Sequence, residues 1–374
     1  MIKCCALRFC AVATAAAFTQ AQTNVTYAWM FNCSVDIPYA HNVVLETINS
    51  SSSGLVAAAF QAGSTEGGDM HLRFTTSADD GASWSKSSVA VPSLDARSAW
   101  GPVLKSDGSS LFLFYALSRT ATANFSNPGG DLFYQTSDDL GTSWSTGMRI
   151  LTVEAFDGNP KYFVNQLVVL PSGEWLIPFG TTGAGYPRTA GAAGLLISTD
   201  TAHSKWTLLQ PRFEIPTAHY ISSILEPALA LAKTDSLTFC ILLFRTAEGF
   251  LYEATSTDVT CRNWTLPAAT TLMNPNSRPS LAWSTRTRSL YLASNPENAG
   301  ISRWPDWGDR SLLSLQRSVD AGESWYTLAQ LEPEGVVSHC YPSVVIHKQS
   351  LLVAYSVYNT SIPRIGIKLA RVMA

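Results

Sequence analysis

The chain has 374 residues, 46% hydrophobic and only 14% charged, with a formal net charge of −3. That balance lacks the basic surface a nucleic-acid binder needs, and no run beyond the amino-terminal segment approaches the roughly eighteen unbroken apolar residues of a membrane-spanning helix. Charged residues fall below the roughly one-quarter usual in globular chains, while Ser and Thr are plentiful.

Lys3 and Arg8 precede an apolar run over 9–18, and Thr19-Gln20-Ala21 supplies a small-residue cleavage site. This pattern predicts a secretory signal over 1–21 and one mature domain over 22–374. Removing the two signal cations leaves 23 basic against 28 acidic residues, about −5. Cys4, Cys5 and Cys10 leave with the signal, and the remaining Cys33, Cys240, Cys261 and Cys340 are an even set suited to an oxidising compartment. Three pairings are open; Cys240 with Cys261 and Cys33 with Cys340 are favoured. Glycosylation triplets at Asn24, Asn32, Asn49, Asn124, Asn263 and Asn359 agree with secretion.

Two registers then run the length of the chain. Short apolar strands open at 41–45, 100–104, 165–170, 226–231, 278–283 and 341–346. Each is followed by a strongly apolar partner, at 55–60, 111–117, 175–179, 237–244, 290–293 and 351–357. Runs this apolar are buried on both faces. The second register is a turn motif, S-x-D-x-G-x-x-W, at Ser77 to Trp84, Ser137 to Trp144 and Ser318 to Trp325. Worn copies keep Ser198, Asp200 and Trp206, and Ser256, Asp258 and Trp264, so the aspartates recur every 58 to 62 residues. Asp and Ser satisfy backbone groups of a tight turn, Gly supplies its dihedral, and Trp packs between units, which makes these folding devices without chemistry.

Six antiparallel units near sixty residues each need their sheet edges hidden, and radial closure does that. The fold expected is all-β, a six-bladed β-propeller of four-stranded antiparallel blades. The last unit lacks an outer strand after 341, and 25–29 is expected to supply it and close the ring.

In such a ring, residues that open a first strand, close a second or lie in the loop to the third converge on one mouth. His41, Glu226, Arg278 and Tyr341 are at openings, Arg245 closes a second strand, and Glu66 and Arg310 lie in loops. Singly, each has an ordinary explanation. Arg278 caps a strand, His41 is a core imidazole, Glu66 a solvated loop acid, Glu226 with Arg245 a structural ion pair, and Tyr341 a packing aromatic. Together they are more than strand hydration needs, and an acid followed by Pro inside an apolar run is costly to bury. Serine-hydrolase, P-loop and dinucleotide motifs are missing, and the six histidines show no metal spacing, so no cofactor and no metal are expected.

The repeats and the placed side chains resemble the sialidase (neuraminidase) superfamily, in its broad group of Asp-box, or BNR-repeat, propeller proteins, over essentially the whole mature chain. The resemblance implies Tyr341 as nucleophile, Glu226 as its partner, Glu66 as acid/base in place of the usual Asp, and Arg245 and Arg310 as substrate-carboxylate ligands; Arg278, from its strand opening alone, is a further substrate-binding candidate. The family's first strand reads Phe/Tyr-Arg-Ile-Pro; here Tyr39-Ala40-His41-Asn42 puts His41 where the first of three arginines stands.

The function expected is a secreted glycoside hydrolase of the exo-α-sialidase type, a monomer releasing a terminal acidic sugar from sialylated glycans. A polysaccharide lyase acting on uronate-containing glycans with His41 as base, and a non-catalytic carbohydrate-binding propeller, are the alternatives.

Overall fold

The computed structural model describes residues 24–48, 54–121, 123, 128–182, 191–215, 224–235, 237–256, 258–297, 309–359 and 365–373. The expected signal segment and the triplets at Asn49 and Asn124 lie outside the described residues. Strands occur in six antiparallel sheets around one axis, and no helix occurs among the described residues.

From axis to rim, blade one is Tyr39–Ile48, Leu55–Gly63, His71–Ser77 and Ser88–Val91; blade two is Ala99–Ser106, Leu111–Leu117, Asp131–Ser137 and Met148–Leu151. Blade four is Leu225–Lys233, Thr238–Arg245, Phe250–Thr255 and Ala268–Met273; blade five is Ser280–Ser284, Ser289–Ser294, Leu313–Ser318 and Tyr326–Glu332. Blade three departs from the expected regularity. Its inner strand is broken into Lys161–Phe163 and Val168–Val169, both paired with Trp175–Thr181, ahead of Ala193–Ser198 and Trp206–Phe213. Blade six is Val337–His347, Ser350–Asn359, Gly366–Met373 and, at its rim, Val25–Asn32. The amino-terminal strand thus pairs antiparallel with the carboxy-terminal one and closes the ring, as expected.

Apolar side chains of facing blades fill the space between sheets. Between blades one and two, Val44, Ala57, Leu72 and Phe74 meet Leu104, Leu113 and Tyr115. The turn motif, present in blades one to five, lies against the preceding blade. Ser77 Oγ donates to Asp79 Oδ1 at 2.8 Å, Ser83 N donates to the same oxygen at 2.8 Å, and Trp84 Nε1 donates to Gly81 O at 3.2 Å. Gly81 has φ 88°, and a Cβ there would meet Leu369 Cδ2 at 2.4 Å. The worn copies keep the turn with His203 and Cys261 at the glycine position, at φ 50° and 52°. Trp144, Trp206 and Trp264 each pack edge-on against an aromatic of the preceding blade or gap, Trp144 on Phe74 at 5.4 Å.

Cys240 and Cys261 form the expected disulfide within blade four. The expected bond between Cys33 and Cys340 does not form. Cys340 is buried on the inner strand of blade six, whereas Cys33 follows its rim strand. Three strand spacings of about 4.8 Å separate those positions, well over the roughly 7 Å Cα limit for a bridge.

One feature of the inner strands sets up the site. Pairing with the second strand slips between His41 and Val44, Trp100 and Val103, Leu225 and Ala228, and Cys340 and Ser343. Within these bulges Asn42, Gly101, Glu226 and Tyr341 take left-handed backbone, at φ 54°, 57°, 45° and 58°, and Asn165 does so at 61° in the break of blade three. A Cβ on Gly101 would lie 2.1 Å from Phe163 O, so that blade tolerates nothing larger. Bulges of this kind re-aim side chains at the end of a strand. Below them, Gln166 Nε2 crosses the axis from blade three, donating to Val344 O at 3.0 Å and to Leu45 O at 3.4 Å.

Candidate active site

Asn and Gly occupy the left-handed bulge position readily because a short polar side chain, or none, relieves the clash. Blades four and six place Glu226 and Tyr341 there instead, at a cost on the order of 1–3 kcal/mol each. Each precedes a proline, Pro227 or Pro342, which withdraws a backbone donor from the ladder. The bulge turns both side chains toward the axis, where they meet.

Arg245 joins them. Its Nη1 donates to Glu226 Oε2 at 2.5 Å and to Tyr341 Oη at 2.8 Å, and its Nε donates to Asn276 Oδ1 at 2.7 Å. Glu226 and Arg245 are 8% and 3% exposed, so this ion pair is held out of bulk water. Arg310, in the loop entering the third strand of blade five, donates from Nη2 to Asn276 O at 2.5 Å. Its guanidinium carbon lies 5.8 Å from the Tyr341 ring centre and that of Arg245 lies 5.9 Å away. The His41 ring is tilted against Tyr341 at 4.1 Å between centres, with Nδ1 3.0 Å from Ser356 Oγ.

Electrostatics divides the labour between the acid and the phenol. Burial works against the Glu226 charge, but Arg245, Arg278 and a hydrogen bond from Tyr341 outweigh it, and its pKa falls below the ordinary carboxylate value. Glu226 is therefore an anion poised beside a phenol. Burial pushes the Tyr341 pKa up, reinforced by Glu226 and Glu66 and opposed by Arg245 and Arg310. The phenol is neutral at physiological pH, with a carboxylate placed to take its proton and cations placed to stabilise the phenolate.

Glu66 is half-buried in the loop between the second and third strands of blade one, within electrostatic reach of Tyr341. The neighbouring Asp69 is committed to its own loop, Oδ2 accepting from Ser64 N at 2.9 Å. Arg278 is 1% exposed, and its guanidinium carbon lies 5.1 Å from the Tyr341 ring centre, nearer than that of Arg245 or Arg310, with its donors turned to the backbone. Its Nη2 donates to the backbone oxygens of Tyr341 and Pro342, both at 2.8 Å, and of Val43 at 3.1 Å, and its Nη1 bonds Asn42 Oδ1. Burial pushes its pKa down to about 10, still a cation at neutral pH. Off to one side, Glu297, Asp309 and Glu334 bring carboxylate oxygens within 4.8 Å of one another.

Of the residues singled out in the sequence, His41, Glu226, Arg245, Arg310 and Tyr341 meet at one point, Glu66 overlooks it, and Arg278 adjoins it with its donors turned to the backbone. Asn276 was not singled out, yet its side chain orients Arg245 and its carbonyl orients Arg310. The available signal was an Asn just ahead of an inner strand, the type that accepts left-handed backbone, here at φ 41°.

The BNR repeat-like domain matches residues 53–353. No curated protein matches the chain. Among solved structures, a mutant of Trypanosoma rangeli sialidase displaying trans-sialidase activity superposes with a TM-score of 0.72 at 15% identity, over 94% of this chain and 59% of that one. The chain therefore spans about three-fifths of that sialidase's length. The NanB sialidase from Streptococcus pneumoniae gives 0.71 at 12% identity, over 93% of this chain and 70% of that one. A protein of unknown function from Dyadobacter fermentans gives 0.70 at 14% identity, over 93% of this chain and 99% of that one. Identities this low establish the shared fold alone.

Proposed function

Because the chain belongs to the BNR repeat-like family and is built as a sialidase-like propeller, we propose that it is a secreted glycoside hydrolase releasing a terminal acidic sugar, of the exo-α-sialidase type. The observation that carries this reading is the single Arg245 nitrogen bonded to both Glu226 and Tyr341. A sugar bearing a carboxylate at its anomeric carbon repels an anionic nucleophile, so a neutral phenol activated by a neighbouring base suits it better. In this mechanism Tyr341 Oη bonds to the anomeric carbon while its proton passes to Glu226. Glu66 gives its proton to the departing glycosidic oxygen as that bond breaks. Glu66 then takes a proton from water, whose oxygen displaces Tyr341, and Glu226 returns the phenolic proton.

Arg245 and Arg310 hold the substrate carboxylate, and His41 stands where a third guanidinium would be. Secretion is supported by the disulfide in blade four and by exposed glycosylation triplets at Asn24, Asn32 and Asn263. No helix among the described residues is long and apolar enough to cross a membrane.

The packing of His41 on Tyr341 favours a second reading, a lyase acting on a uronate glycan. There His41 would remove the proton next to the uronate carboxylate, leaving an unsaturated sugar. Incubation with fluorogenic sialosides and with uronate-containing glycans separates the two, alongside Tyr341→Phe and His41→Ala. Sugar release that Tyr341→Phe abolishes supports hydrolysis. New ultraviolet absorbance that His41→Ala abolishes supports elimination, and glycan binding with neither product points to a lectin.

A further inference from the structure

We propose that Arg278 is a positioning residue, holding the nucleophilic Tyr341 in its left-handed backbone by gripping the carbonyls of Tyr341 and Pro342 from the blade before. The inference rests on the reading of Tyr341 as nucleophile. It explains why a buried cation turns Nη2 onto three backbone oxygens, those of Val43, Tyr341 and Pro342. Two of these belong to the bulge of blade six, the third to blade one, and Nη1 bonds Asn42 Oδ1 in the bulge of blade one. The guanidinium therefore ties blade five to the bulges of the next two blades around the ring, six and one. Its planar fork suits this task because several carbonyls can converge on one rigid donor set.

Blade four shows the same device with a smaller donor. Asn165, in the break of blade three, donates from Nδ2 to Pro227 O at 3.1 Å, directly after the left-handed Glu226. At the two bulges where a bulky residue replaces Asn or Gly, the carbonyl of the following proline is thus held by a side chain from the preceding blade. Tyr341 carries the heavier clamp, on its own carbonyl as well.

The test compares Arg278→Met and Arg278→Lys with the wild-type protein, by sialoside kinetics well below each melting temperature and by crystal structures. Misplacing a reacting atom by about 1 Å costs on the order of 10²-fold, so Arg278→Met is expected to lower kcat about 100-fold with KM changed less than about threefold. An ammonium has three donors for three carbonyls, so Arg278→Lys is expected to recover at least about tenfold of that loss. A folded Arg278→Met protein with kcat within about twofold of wild type overturns the proposal, as does a rise in KM with kcat unchanged, the signature of a lost substrate ligand. The structures decide independently of activity. Tyr341 is expected to leave left-handed φ, or its hydroxyl to leave hydrogen-bond range of Arg245, in Arg278→Met, and an unmoved Tyr341 overturns the proposal. Should the wild-type protein release no acidic sugar, the hydrolase reading fails while this arm still decides whether Arg278 holds Tyr341. If Arg278→Met does not fold, Arg278→Gln, whose amide has only two N–H donors for the three carbonyls, carries the same kinetic and structural criteria.

Discussion

The hydroxyl oxygen of Tyr341 lies 2.8 Å from Nη1 of Arg245, 96 residues earlier in the chain. The same nitrogen grips Glu226, so the phenol's donor, its acceptor and the acid's counter-charge are fixed as one unit. Glu226→Gln keeps the shape and a hydrogen-bond acceptor but loses the base. It is expected to lower kcat by about 10²- to 10⁴-fold, the usual worth of general-base help, with circular dichroism unchanged. Turnover within a few-fold of wild type would show that the phenol's proton goes elsewhere.

The pair has a separate structural consequence. Removing one partner of a buried ion pair leaves an uncompensated charge, at a cost of about 3–5 kcal/mol, whereas replacing both with apolar groups can be neutral. Arg245→Met alone is expected to lose stability of that order in urea titrations. The double variant Glu226→Leu with Arg245→Met is expected to regain most of it while staying inactive. If the double variant is no more stable than Arg245→Met, the loss comes from packing and not from the stranded carboxylate.

The ring was legible in the sequence because its signals are local. Asp and Trp of the turn motif act within about eight residues, and even the worn copies keep the turn, with His203 and Cys261 accepting the positive φ that Gly81 takes elsewhere. The site was legible only in outline. That Glu226, Arg245, Arg310 and Tyr341 would face one mouth followed from strand order, but the direction of Arg278 did not. Its partner Asn42 is 236 residues away, and an Arg before a strand reads the same whether it points up at a ligand or down at a carbonyl. The roles of Asn165 and Asn276 were hidden likewise, since Asn ahead of a strand is first of all a turn residue. The pairing of Cys33 with Cys340 failed because an even count of cysteines says nothing about which strand of a blade each one occupies.

The surviving disulfide closes blade four on the face away from the phenol, joining its second strand to the worn turn at Asp258. Its 21-residue separation falls in the range where a cross-link restricts the unfolded chain by about 2–4 kcal/mol. Cys240→Ala with Cys261→Ala is expected to lower the urea midpoint accordingly, and to leave kcat unchanged at temperatures where the protein is folded. A matching loss of kcat in the folded variant would mean that the turn face and the mouth are coupled through the blade.

Glu253 gives the stability a defined pH dependence. It lies on the third strand of blade four beneath the turn of blade five, where a Cβ on Gly322 would come within 4.0 Å of its Oε2. Burial, then Glu323, push its carboxyl up from 4.5 to about 7. Between those two values the folded protein holds a proton that the unfolded chain has released. Stability contributed at this position therefore declines as pH rises from 4.5 to about 7 and is flat above that. Glu253→Gln stays neutral throughout, so its stability relative to wild type is expected to be greater at pH 8 than at pH 5 by thermal or urea unfolding. Comparing variant with wild type at each pH cancels the other titrating groups, including Glu297, whose carboxyl is also pushed up to about 7 by burial and by Asp309 and Glu334. An identical difference at both pH values would mean that Glu253 is ionised in the folded protein throughout that range.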